Sequence, residues 1–200
     1  MKHFRTFIYL ALIVSLVCTA TVAQAAGSTY IGNTTAKATP STIARSQSTT
    51  FTSSFQILGN GRSNFNDSVW AVAYAVGKTR YTIRYTISVR EDVSRRPDKE
   101  IVKPVTYTRT ATIVPGAPGM PGLFWVKIQL EDGRTVVPKT VAEAQSLMFD
   151  VSKSYRIAGT TLGSGSHKLF ARIEANWSGY QFSGSDKVDQ NSPRVTVQVK

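Results

Sequence analysis

Segment 81–89 alternates without a break. Tyr81, Ile83, Tyr85, Ile87 and Val89 are apolar, and Thr82, Arg84, Thr86 and Ser88 between them are polar. Strand side chains point to opposite faces in turn, so this period predicts a strand with one face on a core and one in solvent. The signature recurs. In 105–113, Val105, Tyr107, Ala111 and Ile113 alternate with four threonines; in 123–130, Phe124, Val126, Ile128 and Leu130 share a face. Leu169, Ala171, Ile173 and Ala175 do the same, and Val195, Val197 and Val199 close the chain. Segment 69–76 is apolar on both faces and predicts a central strand. Gly77-Lys78 predicts a hairpin joining it to the 80–90 strand, and Asp132-Gly133 a second one joining 123–130 to 135–138.

Thr140 and Glu143 have capping-box spacing, which predicts one short helix near 140–148. The loop 115–122 carries three prolines, which lack N–H donors and exclude a central strand. Many short strands separated by turn signals point to a sandwich or barrel. The strand beginning at His167, its polar connection and the final Val195–Val199 strand resemble the closing hairpin of many immunoglobulin-like domains. The expected fold is therefore an all-β, immunoglobulin-like antiparallel sandwich of about 7–10 strands, filling residues 41–200 as a single domain.

The first residues change the picture of where this domain works. Lys2, His3 and Arg5 precede an apolar run, Phe7 to Val17, and small residues end at Ala23-Gln24-Ala25. That is the three-part pattern of a signal peptide spanning residues 1–25, cleaved to leave Ala26 first. The run is about half of the roughly 20 residues a transmembrane helix needs. A lipid-anchor reading of Cys18 is weaker, because Val17 stands where a small residue is expected. The expected product is exported (secreted, cell-surface or periplasmic) and meets the membrane only during export. Residues 26–40, polar and ending at Pro40, form an extension, an edge strand or a donor strand.

Removing 1–25 leaves 22 basic and 12 acidic side chains, a net charge of +10, and no cysteine. Thiolate metal sites and cysteine nucleophiles are then excluded, and His167 is the one remaining histidine. His167 is expected as a strand-end surface residue rather than a general base. Glu131-Asp132 and Glu91-Asp92 are adjacent in sequence, so each pair faces apart on a strand. No phosphate-binding loop, dinucleotide fingerprint or nucleophile elbow is present, so no enzyme activity and no nucleotide cofactor are expected. Asp186, Asp189 and Asn191 could offer oxygens to calcium, but their spacing matches no EF-hand loop; no cofactor is expected.

Three candidate sites remain. Residues 78–109 hold nine basic and four acidic side chains. Arg84, Arg90, Arg95, Arg96, Lys99 and Lys103 would attract an acidic polysaccharide or another extracellular polyanion. Interleaved acids make a solvated, self-neutralising loop the competing reading. Trp177 and Tyr180 could form an aromatic platform for a ligand, although a tryptophan just past a core strand more often packs over the end of a sandwich. Thr29, Tyr30 and Ile31 could begin a strand donated to a neighbouring subunit. Asn33, Asn66 and Asn176 fit the N-glycosylation pattern. The leading expectation is a non-catalytic structural or adhesive surface protein, such as a filament or matrix subunit built by strand addition. The alternative is a binding module for an anionic polymer or carbohydrate.

Overall fold

Alternation becomes burial in the computed structural model, which describes residues 29–66, 79–115, 124–179 and 187–200. The predicted signal segment, the 69–76 strand with its Gly77-Lys78 turn, the body of the proline loop, Tyr180 and Asp186 lie outside the described residues. In chain order the elements are β1 Tyr30–Thr39, β2 Thr42–Ile43, β3 Ser48–Leu58, β4 Thr79–Glu91, β5 Lys99–Pro115, β6 Phe124–Gln129 and β7 Thr135–Val136. Helix α1 Val141–Phe149, β8 Asp150–Ala158, the single-turn α2 Gly159–Leu162, β9 Gly165–Ser178, β10 Val188–Asn191 and β11 Val195–Val199 follow. A further helical segment covers 60–66. No helix among the described residues is long and apolar enough to cross a membrane.

The strands form two sheets. The smaller has the order β1-β3-β8. The larger has the order β2-β11-β9-β4-β5-β6-β7, with β10 also on β9. All pairings are antiparallel except the short β2–β11 contact. From Thr82 to Glu91 both edges of β4 are taken, one by β5 and the other by β9.

One core joins the sheets. Tyr81, Ile83, Tyr85, Ile87 and Val89 of β4 are fully buried, as are Leu169, Ala171 and Ile173 of β9. Phe51, Phe55 and Ile57 of β3 meet them from the small sheet, Phe55 packing edge-on against Tyr85 at 5.8 Å. Each such aliphatic or aromatic side chain contributes roughly 1.5–3 kcal/mol by leaving water.

The N-cap half of the capping box forms: Thr140 Oγ1 accepts from the Glu143 N–H at 3.1 Å. Glu143 Oε2 accepts from the Lys139 N–H, one residue earlier than the capping-box pattern, at 2.6 Å. α1 then buries Ala144, Met148 and Phe149. The β6–β7 hairpin also forms, with Gly133 at φ +83°, the left-handed region where glycine is free of strain.

β5 departs from the expected pattern. Ala111 and Ile113 are buried, but Val105 is 38% exposed and Tyr107 half-buried. Between Tyr107 and Ala111, on the inward phase, Arg109 is buried.

Candidate functional site

A buried arginine requires partners, because an unpaired charge in a core is strongly unfavourable. Arg109 has them. Its Nε donates to Glu131 Oε1 at 2.7 Å, and one terminal nitrogen donates to the carbonyls of Leu147 and Asp150, both at 2.8 Å. α1 has no basic residue in its own last turn. Arg109 thus supplies from β5 the positive charge that a helix C-terminus favours. Tyr85 donates its hydroxyl to Glu131, and Lys153 Nζ lies 3.5 Å away. Burial pushes the Glu131 carboxyl up, but hydrogen bonds from Tyr85, the backbone and Arg109 outweigh it and hold the group below its usual range. Glu131 is therefore an ionised structural partner, not a proton donor. Asp132 points away to Arg134 at 2.6 Å, so the adjacent carboxylates do not converge.

This network predicts a sign for acid unfolding. A carboxyl depressed in the folded state adds stability above its unfolded value and loses it as pH falls through the folded one. A Glu131→Gln variant should be less stable than the parent at pH 7. The gap in urea midpoint should close as pH drops below about 4.3, the ordinary glutamate value. A constant gap from pH 7 to pH 2 would remove the ion pair as its cause.

His167 is 8% exposed, not a surface residue. It shares the inward phase of Leu169 and Ala171. Its Nδ1 lies 2.6 Å from Glu91 Oε1 and its Nε2 3.0 Å from the Gly163 carbonyl. Neither nitrogen is open to take a proton from a serine hydroxyl. Of the two platform residues only Trp177 is described: it is 5% exposed, stacks on Tyr81 at 5.7 Å and donates Nε1–H to Thr29 Oγ1 at 2.9 Å. Its ring cannot stack on a ligand.

Thr29 is buried, holding Trp177 and the Gly61 N–H. Ile31 faces the core, and Tyr30 is exposed. β1 pairs with β3 of its own chain from Tyr30 to Thr39. Asn33 is exposed, while Asn66 and Asn176 are half-buried. Asp189 of the calcium reading is engaged by Arg172 at 2.6 Å.

The polyanion candidates divide between faces. Arg84 and Arg90 project from the outer face of β4, opposite Asn176 and Phe170 of β9. Arg95 and Arg96 are exposed in the β4–β5 connection. Lys99 turns the other way, 3.8 Å from Glu91 and 3.4 Å from the Thr161 carbonyl. Lys103 is exposed on β5, where the register shifts.

Around Arg84 the outer face collects residues that the run of charges does not reveal. Register sets Thr112 between Arg80 and Lys127, Thr110 between Thr82 and Gln129, and Thr108 beside Arg84. Residues directly opposite share a face of the sheet. The result is a flat grid of hydroxyls carrying Arg80, Arg84 and Lys127, all exposed. None of the three makes an ion pair among the described residues. Glu174, an acid on the same face, is tied to Lys187 at 2.7 Å. At the other end the face is closed: Phe170 is buried, with the Arg194 guanidinium 5.1 Å over its ring.

Comparison with known protein families, with curated proteins and with solved structures finds no match to this chain.

Proposed function

We propose that this chain is an exported, non-catalytic adhesive module that holds an anionic polymer on the outer face of its large sheet. The observation that carries this reading is the cluster of Arg80, Arg84 and Lys127, unpaired among the described residues and set in a threonine grid. Exposed cations without partners keep their field and release counterions when they meet a polyanion. Two groups that could do acid–base chemistry are already engaged: His167 by Glu91 and Gly163, and Glu131 by Arg109 and Tyr85. Export is supported by the n-region, apolar run and Ala-Gln-Ala site of residues 1–25. The strand orders, three against seven with β10 added beside β9 and β2 parallel to the last strand, support an immunoglobulin-like reading. Assembly by donation of 26–39 has less support, because β1 pairs along its length with β3 of its own chain.

Heparin chromatography tests the face. An Arg80→Glu/Arg84→Glu variant should lose most of its retention, with the salt slope lowered by roughly one for each cation replaced. Arg95→Glu/Arg96→Glu changes net charge equally and should elute close to the parent. Equal losses would reduce the effect to net charge. Loss in the second variant alone would move the site to the β4–β5 turn.

A further inference from the structure

The open face is not uniform. A shallow concavity of about 330 Å³ lies over two neighbouring rows of the grid, lined by Arg80, Thr110, Thr112, Lys127, Gln129 and Thr135. The first row is Arg80, Thr112 and Lys127; the second is Thr110, Gln129 and Thr135. Arg80 and Lys127 are two strands apart, about 10 Å between backbones. Both line the same concavity, on either side of Thr112. Every lining side chain can donate a hydrogen bond and none is a carboxylate. Thr110 is only weakly engaged, its hydroxyl 3.5 Å from that of Thr82.

We infer that this concavity is a subsite for a tetrahedral oxyanion ester, a sulfate or phosphate group carried on a polysaccharide. The inference rests on the polyanion reading above and makes it more specific. A carboxylate presents two oxygens in one plane. A sulfate or phosphate ester presents up to three free oxygens in different directions. Donors here come from four adjacent strands, so they are spread laterally beneath the site and can meet several oxygens at once. Arg80 can grip two oxygens with its planar fork, Lys127 adds a point charge, and the threonine hydroxyls rotate to reach the rest. Two cations also suit the charge of a phosphate monoester, close to −2 at neutral pH. Beyond the concavity the face continues through Arg84, flanked by Thr108 and Asn176, polar groups that can exchange hydrogen bonds with sugar hydroxyls.

The test separates hydroxyl chemistry from charge. Thr110→Val/Thr112→Val leaves the net charge unchanged and keeps β-branched residues in the strand. Full-length protein, parent and variants, is titrated with heparin, with desulfated heparin that retains its carboxylates, and with phosphorylated mannan. Circular dichroism confirms folding, and Lys127→Gln provides a second variant. The parent should prefer heparin or the phosphorylated mannan over desulfated heparin, and the better of the two identifies the ester. The double valine variant should lose about tenfold in affinity for that ligand and change little on desulfated heparin. Equal binding of sulfated and desulfated polymer by the parent would overturn the subsite. So would an unchanged affinity in both the valine and Lys127→Gln variants. If Arg80→Glu/Arg84→Glu still abolishes binding in that case, the basic face stands without the subsite; if it does not, the face itself is wrong.

Discussion

Replacing Arg109 with methionine is expected to lower stability by about 3–5 kcal/mol, the cost of breaking a buried ion pair by removing one partner. Methionine fills similar space, so lost volume is not the reason. Glu131, with 12% of its side chain exposed, would keep its charge beside only Lys153 and the Tyr85 hydroxyl. The carbonyls of Leu147 and Asp150 would lose their donor at the end of α1. Arg109→Lys should recover little, because one ammonium cannot reach a carboxylate and two carbonyls from a single fork. Arg109→Met/Glu131→Leu should recover part of the loss, since the carboxylate no longer stands uncompensated, while the Tyr85 hydroxyl, Lys153 and the two carbonyls still lack their partners. Urea unfolding at pH 7 decides: the midpoint should fall sharply for the single variant with little change in slope. A loss below about 1 kcal/mol would place Arg109 with exposed ion pairs and remove it as the cap of α1.

Arg109, His167 and Trp177 share one reason why their buried roles are hard to read from the sequence. Each lies on the inward phase of its strand: Arg109 between Tyr107 and Ala111, His167 two residues before Leu169, Trp177 two after Ala175. Alternation is strong enough to place them inside. Their polar or amphipathic heads suggest the surface instead. What resolves the conflict is a partner supplied from far along the chain: Glu131 for Arg109, Glu91 for His167, Thr29 for Trp177. Such pairings span 22, 76 and 148 residues and leave no local trace in the sequence.

The basic lobe shows the complementary difficulty. Neighbours in sequence point to opposite faces of a strand, so a run of charge is divided by the pleat. Arg84 and Lys99 both belong to the run, yet one joins the outer grid and the other turns toward Glu91. Arg80 and Lys127 are 47 residues apart but sit in one lateral row because β5 lies between their strands. The four threonines are visible in the sequence as an alternating set in β5. Their role as the middle column of a basic face depends on β4 and β6 flanking them, which periodicity alone does not determine.

Trp177→Ala should cost about 3–5 kcal/mol, the range for removing a large aromatic from a core. The indole stacks on Tyr81 with planes only 8° apart, and Tyr81 in turn packs edge-on against Phe65 and Phe149. Gly61 approaches closely enough that a Cβ there would lie 3.1 Å from the ring. Backbone on that side therefore depends on the indole for packing. Thr29 Oγ1 accepts from both Trp177 Nε1 and the Gly61 N–H, so losing the ring also loosens the start of β1. Trp177→Phe restores area but not the donor and should fall between parent and alanine. Thr29→Val should cost about 1–3 kcal/mol, because the Gly61 N–H is left without its acceptor in the core. Two measurements on the same samples separate a core from a ligand platform. A core residue lowers the urea midpoint and leaves the salt needed to elute folded protein from heparin unchanged. A platform residue does the reverse. Trp177→Ala protein of parental stability and weakened heparin retention would return the ring to the surface and overturn its place beneath β1.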